Sequence, residues 1–587
     1  MYTRNSLIIS QPGKYGIIYY MQEIKEQLKK VIQSLYGLDF APDITPAPAN
    51  IDADYSTNAP LKLAKDLHKA PMVIASELEA EIRKANMATD GESLAGEPHG
   101  DAREQGGSQN FQISLSQPGF INFTLSDDTL RDSIANLDLS CTDFAGKTVI
   151  CEFSDPNPFK VLHAGHLYTS IMGDSISKLY EYAGAKVIRA NFGGDVGLHV
   201  AKAMYILRQK DTDNLTIEDI ANCYIEGNSA YEEDEAAKAE ITELNKEIYK
   251  INAENIHGTK VADIYWKGRE LSYEYFKDFY ATIGIKFDKF YPESTVAALG
   301  LATVKEQLKK GVYEMSDGAV IFDGDKFGLH TRVFINKEGV PTYEAKDVGL
   351  IFTKWDDYHF DKSVVITGSE QLEYMKVVLK SIEQYAPELV EKTTHLTHGL
   401  VKLPGGVKMS SRKGNFLKAV DVLNLVKEEF KSDYNSEDEK IPLAATKYAF
   451  LKYKMGGNII FDPKESVKMT GNSGPYLLYS AVRAKKILAK GNVQSAMQPH
   501  ALVPEEKNLI KKCLEYKDIL KEAIAEIAPH KVANYLYELA QEFSRFYEKC
   551  PVAGSPEEAE RLKFVQTYLD IISHGLNILG IEIPEEM

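Results

Sequence analysis

The sequence predicts an α/β protein. Its centre is a doubly wound parallel sheet of Rossmann type with insertions, preceded by a small α+β domain and followed by an all-helical C-terminal domain. Three observations predict this. Residues 148–153 form a short apolar run of the kind a buried parallel strand needs. A Pro-containing polar loop follows. Then Leu167, Ile171, Met172, Ile176, Leu179 and Tyr180 fall on one helical face, Gly184 sits where that helix stops, and residues 186–191 read as the next strand. Strand, loop, helix, strand is a βαβ unit. The same order returns at 364–367, 371–385 and 396–402, as the second half of such a sheet. From about Val420 onward nearly everything has helical periodicity, most clearly 474–490, 535–549 and 557–579.

The other elements fit around this centre. Residues 19–35 are amphipathic, and 59–68 and 74–85 read as two more helices. Residues 111–125 alternate like two short strands around Pro118-Gly119. Residues 86–110, rich in Gly, Ser, Asp and Glu, read as a flexible surface loop of no assigned role. Between the halves of the sheet, 214–289 is mostly helical and 319–334 strand-rich. The expected domains are 1–143, 144–425 and 426–587.

Composition bounds the function. With 587 residues, 44% hydrophobic and 26% charged, the chain reads as globular and multi-domain. No apolar run approaches the roughly 20 residues of a bilayer span, and the first residues lack a cleavage-like pattern. No membrane association is expected. The five cysteines are scattered without C-x-x-C spacing, so a reducing cytoplasm fits best and no metal site is expected. The net charge of -17 argues against indiscriminate nucleic-acid coating and leaves a selective RNA partner open.

Two motifs carry chemistry. In His163-Ala164-Gly165-His166, two histidines three residues apart at a helix start point the same way. Helix N-termini favour anions, and Gly165 lets a nucleotide lie close to the backbone. Alone, the motif reads also as a metal pair or as ordinary polar residues. The second is Lys408-Met409-Ser410-Ser411-Arg412-Lys413-Gly414, three cations and two hydroxyls in a loop suited to gripping phosphates. Alone, it reads as a solvated basic loop.

Together they resemble the H-I-G-H and K-M-S-K-S signatures of class I aminoacyl-tRNA synthetases. Longer stretches resemble the arginyl-tRNA synthetase family: E-F-S-D-P-N-P-F-K-V-L-H-A-G-H at 152–166, N-S-G-P-Y-L-L-Y-S-A-V-R-A at 472–484, the stretches 535–551 and 576–587, and P-G-F-I-N-F at 118–123. The resemblance implies a Rossmann-type class I synthetase catalytic domain with insertions, an N-terminal α+β domain touching the tRNA corner, and a helical anticodon-binding domain. It implies an arginine–tRNA ligase that joins L-arginine to tRNA(Arg) through arginyl-adenylate, using ATP and Mg2+, expected to be a cytoplasmic monomer.

By the same resemblance His163, His166, Lys160 and Lys408 are the catalytic residues. ATP is held by His163, Gly165, His166, His398, Gly399, Lys408, Met409 and Ser410. Arginine is held by Asp155, Asn157, His166, Glu293, Tyr343, Asp347 and Gln371. A guanidinium needs fixed carboxylates, and Tyr343 and Asp347 share a helix face, which the family match separates from an ordinary surface pair. Tyr476, Tyr479 and Arg483, beside Lys485 and Lys486, are candidates for unpaired anticodon bases, although the tyrosines read equally as core. Three departures stand out. Ser411 replaces the second signature lysine, for which Lys160 or Lys413 substitutes. Asp155 replaces a small residue. Val196 and His199 replace Trp and Gln of a G-D-W-G-x-Q stretch. Rivals are another class I synthetase, a smaller nucleotidylyltransferase, and a silent paralogue that only binds tRNA.

Overall fold

The protein is described by a computed structural model over residues 17–48, 50–89, 110–210, 212–405, 417–491 and 500–587. It falls into two compact units, each built from separate stretches of chain.

The first unit takes its described residues from 1–140, 483–521 and 538–572. Helix α1 (Ile17–Tyr36) is followed by strands β1 (Thr45–Pro46) and β2 (Tyr55–Thr57), helices α2 (Ala59–Leu67) and α3 (Pro71–Thr89), strands β3 (Phe111–Ser116) and β4 (Phe120–Leu125), and helix α4 (Asp127–Ala135). The strands form an antiparallel sheet in the order β1-β2-β4-β3. The alternation in 111–125 is explained by it: Phe111, Ile113, Ile121, Phe123 and Leu125 are buried. Helix α4 starts on a Ser126 cap, and its Arg131 pairs with the buried Glu560 at 2.6 Å. Arg561 holds the fully buried Glu506 at 2.8 Å within the same unit.

The second unit takes 141–482, 522–537 and 573–587. Its sheet begins with β5 (Thr148–Glu152), helix α5 (Ala164–Tyr182) and β6 (Lys186–Gly193). Then come α6 (Leu198–Leu207), α7 (Ile217–Glu233), α8 (Glu235–Ala253) and α9 (Lys260–Thr282), the helical insertion expected over 214–289. Strand β7 (Lys289–Pro292) and α10 (Glu293–Lys309) lead to the antiparallel strands β8 (Glu314–Ser316), β9 (Ala319–Phe322) and β10 (Arg332–Ile335). Helix α11 (Tyr343–Tyr358) returns the chain to β11 (Lys362–Gly368), α12 (Leu372–Glu383), α13 (Pro387–Glu391) and β12 (Thr393–His398). All pairings in the central sheet are parallel, in the order β12-β11-β5-β6-β7. The order reverses between β5 and β11, and such a switch point leaves a crevice beyond the strands' carboxyl ends. The expected strand over 396–402 starts earlier, at Thr393, and is broken after His398; β13 (Val401–Lys402) pairs instead with β14 (Ile459–Ile460).

The C-terminal part is helical, as its periodicity predicts: α14 (Ala419–Tyr434), α15 (Lys440–Leu451), α16 (Pro463–Ser466), α17 (Gly474–Lys490), α18 (Pro504–Leu514), α19 (Tyr516–Glu526), α20 (Pro529–Lys549) and α21 (Glu558–Ile578).

Two apolar cores support the second unit. One joins Ile150, Ile188, Val348 and Ile351 under the sheet, and the other joins Val196, Val200, Ile241 and Tyr265 among α6 to α9. The contact between α10 and α11 fixes where the functional residues of both helices sit. A Cβ at Gly300 would lie 1.8 Å from the Ala345 carbonyl oxygen, and one at Gly349 would lie 2.2 Å from that of Val296. Only two glycines permit this approach of backbones. Gly300→Ala is therefore expected to destabilise the fold by about 1–3 kcal/mol, the cost of overpacking a close contact. A lowered calorimetric midpoint would show it, with Gly457→Ala, where a Cβ meets no neighbour within 4 Å, as the comparison.

Candidate active site

The start of α5 lies at the carboxyl end of β5, in the crevice. Its unpaired N–H groups are capped by its own histidines. His163, in extended conformation, accepts from the N–H of Gly165 at 3.1 Å and of His166 at 3.4 Å through Nδ1. His166 Nδ1 accepts from the His163 N–H at 3.1 Å. This is a capping box built from two imidazoles. The rings stack at 3.7 Å, and a Cβ at Gly165 would meet the His163 ring at 2.9 Å, which explains the glycine. Because each Nδ1 accepts, each neutral ring carries its proton on Nε2, leaving two N–H donors at the helix start. Burial, with the neighbouring His398 and Lys160, pushes the His163 pKa down to about 4. Burial and the His163 ring push that of His166 well below the usual range.

The chain just after the second signature pairs with this turn. Ala164 N–H donates to the Leu417 carbonyl, and Ala419 N–H to that of Leu162, both at 2.9 Å. At the end of β12, His398 donates from Nδ1 to the Gly399 carbonyl at 2.7 Å.

Between β5 and α5 the chain turns through Ser154 (φ 73°) and Asp155 (φ 48°), a left-handed conformation that costs non-glycine residues about 1–2 kcal/mol each. Side chains hold it. Ser154 Oγ bonds the Tyr280 hydroxyl at 2.9 Å, and Asp155 accepts from the Phe192 N–H at 2.8 Å. Burial and the nearby Glu152 drive the Asp155 carboxyl well above the ordinary range. The departure at Asp155 thus ties the turn to β6. Asn157 accepts from the Gly194 N–H at 2.8 Å, while His199 donates from Nε2 to the Gly194 carbonyl at 2.7 Å. His199 so supplies an N–H of the kind a glutamine would supply. Val196 is buried in the helical core. Asp195, fully buried, binds Arg269 at 3.0 Å and both the N–H and hydroxyl of Ser294, which sets the first turn of α10.

One cavity of about 750 Å³ gathers Asp155, Asn157, His163, Gly165, His166, Glu293, Tyr343, Asp347, Gln371, His398 and Gly399. It lies at the ends of β5, β11 and β12. Its acids differ in their partners. Glu152 pairs with Lys354 at 2.8 Å, both deeply buried. Glu293 pairs with Lys346. Asp347 accepts from the Tyr374 hydroxyl and, among the described residues, forms no ion pair. Burial, opposed by that hydrogen bond, pushes its carboxyl up to about 7. Such a group is poised for a ligand cation, which would restore its charged form.

Not every expected residue falls here. Lys160 does not line the cavity; its ammonium stands 4.6 Å from the centre of the Tyr224 ring. Lys408, Met409, Ser410, Ser411, Arg412 and Lys413 lie outside the described residues. On α17, Tyr476 packs against Tyr537 at 5.7 Å, Tyr479 is exposed, and Arg483 lies 4.8 Å over the Tyr547 ring. Sequence reasoning missed Tyr374, Lys346, Lys354 and Arg332, whose guanidinium lies 5.3 Å over the Tyr374 ring and bonds Glu344. The one available signal was position: Lys346 stands inside Tyr343-Glu344-Ala345-Lys346-Asp347, and Tyr374 three residues after Gln371.

Comparison with known proteins gives matches along most of the chain. The profile of the class I (R) tRNA synthetase catalytic domain matches residues 135–456, that of the DALR anticodon binding domain 477–587, and that of the arginyl tRNA synthetase N-terminal domain 22–96. The arginine–tRNA ligase of Parabacteroides distasonis is 30% identical over 485 residues, 75% of this chain and 80% of its own length. That of Borrelia garinii subsp. bavariensis is 31% identical over 476 residues, 74% and 79%. The Thermus thermophilus arginyl-tRNA synthetase structure superposes with a TM-score of 0.73 at 21% identity, covering 97% of this chain and 100% of its own. That from Plasmodium falciparum gives 0.72 at 21%, covering 97% and 99%.

The imidazole cap predicts a titration. An unfolded histidine binds its proton near pH 6.5 and the folded His163 only near 4, so the unfolded chain holds more protons between these values. This contribution to stability is full above pH 6.5 and falls as pH drops toward 4. Spectra of selectively 15N-histidine-labelled protein should show both rings as neutral Nε2–H tautomers at pH 7. An Nδ1–H signal from either would contradict the cap.

Proposed function

The chain belongs to the arginyl-tRNA synthetases and its activity is arginine–tRNA ligation; we propose that the crevice at the ends of β5, β11 and β12 is where that reaction occurs. One observation carries the reading: Asp347, a buried carboxylate with a phenol and no ion-pair partner among the described residues, faces the same cavity as the two stacked histidines. A guanidinium cannot lose its charge, and its fork suits such an acid.

In this reading Asp347 and Tyr343 hold the arginine side chain, with Gln371 at the cavity wall. Asn157 and the fixed turn at Asp155 set the amino-acid end. The arginine carboxylate attacks the α-phosphorus of ATP, the bond to the bridging oxygen of the β-phosphate breaks, and pyrophosphate leaves. A terminal hydroxyl of tRNA(Arg) then attacks the arginyl carbonyl, and AMP leaves. Little covalent work falls to the protein, so positioning and charge stabilisation dominate. The Nε2–H groups of His163 and His166 donate to the phosphoryl oxygens, and Gly165, His398 and Gly399 border the nucleotide. Support comes from the cap, which fixes both rings at a helix N-terminus with their protons on Nε2.

Lys408, Met409 and Ser410 are proposed to hold the departing pyrophosphate; the attachment of residues 417–419 beside the histidine turn supports this. Lys160 is proposed to act on the histidines at a distance. Magnesium is proposed to enter on the ATP phosphates, as a hard cation prefers oxygen ligands. Tyr476, Tyr479 and Arg483 are proposed to meet the anticodon loop, within a functional division at 1–143, 144–425 and 426–587. A cytoplasmic monomer is proposed; five scattered free cysteines suit a reducing compartment. No helix among the described residues is long and apolar enough to cross a membrane.

Charging of total tRNA, assayed with each of the 20 amino acids, should occur with arginine alone and be lost in Asp347→Ala. No charging by folded protein that still binds tRNA would favour the silent paralogue. The KM for arginine should rise as pH falls below about 7, by up to about tenfold per unit, because the protonated Asp347 no longer attracts a cation. A KM flat from pH 8 to 6 would remove Asp347 from side-chain recognition.

A further inference from the structure

Tyr374, which no motif marked, stands in the first turn of α12. Its hydroxyl donates to Oδ2 of Asp347 on α11, and Oδ1 takes no hydrogen bond among the described residues. Both residues line the cavity. Burial and the Asp347 carboxyl hold the Tyr374 phenol well above its usual range, so it keeps its proton and is the donor of the pair. Arg332 of β10 lies 5.3 Å over the Tyr374 ring and is itself held by Glu344 at 3.2 Å. A cation over the ring face draws electron density from the phenol and makes its O–H the stronger donor.

Asp347 needs such a donor. Burial pushes its carboxyl up to about 7, and Glu152 at the end of β5 and Glu293 at the start of α10 add to the rise. Lys354 of its own helix opposes them, and the Tyr374 hydrogen bond opposes them most. Glu152 and Glu293 are themselves paired with Lys354 and Lys346, and Glu370, ahead of α12, borders the same cavity. A hydrogen bond donated to the charged form of an acid favours that form. We propose that Tyr374 is a positioning residue for arginine recognition: by donating to one oxygen of Asp347 it keeps that acid a carboxylate and leaves the other oxygen for the guanidinium. This rests on the assignment of Asp347 to the arginine side chain made above. Tyr374 acts through Asp347 and needs no contact of its own with the substrate.

The test is KM for arginine in tRNA aminoacylation, measured from about pH 6 to about pH 8.5, with KM for ATP alongside. Removing one hydrogen bond to a charged group should raise the Asp347 midpoint by about one pH unit. In Tyr374→Phe, KM for arginine is therefore expected about fivefold above that of the unaltered chain at pH 7. It should return to within about twofold at about pH 8.5, where Asp347 is ionised in both proteins. KM for ATP should stay within about threefold throughout. Replacing Tyr374 by 3-fluorotyrosine keeps the ring and gives a more acidic phenol, a stronger donor, so the rise in KM should move to lower pH. That variant also keeps the proposal falsifiable if Tyr374→Phe does not fold. An unchanged KM for arginine in Tyr374→Phe would overturn the proposal. So would a rise by one factor across the whole range, which lost packing alone would give, or a fluorotyrosine profile moved to higher pH. Asp347→Asn separates the two levels of the argument. It cannot ionise, so its KM for arginine should be raised and lose this pH dependence. An unchanged KM there sinks the pocket assignment itself, whereas a raised one beside an unaltered Tyr374→Phe sinks only the role of Tyr374.

Discussion

At the crevice where the strand order reverses, the first backbone N–H groups of α5 have no helical partners, and two imidazole rings satisfy them. Their mutual capping makes the site possible. It takes each Nδ1 out of play, stacks the rings, and leaves the ring protons on Nε2 at the positive end of a helix. The same arrangement keeps both histidines neutral, since an imidazolium has no acceptor left for a backbone N–H. In the proposed reading, neutral donors suit the phosphoryl group under attack, since binding that strengthens only as charge develops is what speeds a reaction.

Around this turn the protein spends structure on holding charge still. Asp195 is wholly buried and satisfied by Arg269 and Ser294, so the first turn of α10 is fixed. The glycine contact between α10 and α11 then holds Glu293, Lys346 and Asp347 in one place. Glu152 and Glu293 each have a lysine. Asp347 has a hydrogen-bond donor and no cation among the described residues. A buried acid left so suits a cation, which would restore its charged form.

The departures from the family pattern have local causes. Asp155 stabilises two consecutive left-handed residues by accepting from Phe192. His199 donates to the carbonyl of Gly194. Val196 is core. None of them removes a donor or acid from the cavity.

The sequence by itself determined four of the five strands of the central sheet, with β7 missed, the helical C-terminal part and most of the residues that line the cavity. Apolar periodicity and glycine stops are local signals, and eleven candidates now line one cavity because the matched motifs carried them residue by residue. Local signals also located Tyr343 and Asp347 on one face of α11, since their spacing is a property of the helix. Only the tertiary structure decided the charge state of the pocket. That Glu293 meets a buried cation depends on Lys346, 53 residues away. Whether Asp347 ionises easily depends on Tyr374 and on burial. The break after His398 depends on Val401 and Lys402 pairing with Ile459 and Ile460 rather than with the central sheet. Pairing partners and burial are set by what the fold brings together, and hydrophobic pattern does not encode which lysine meets which acid.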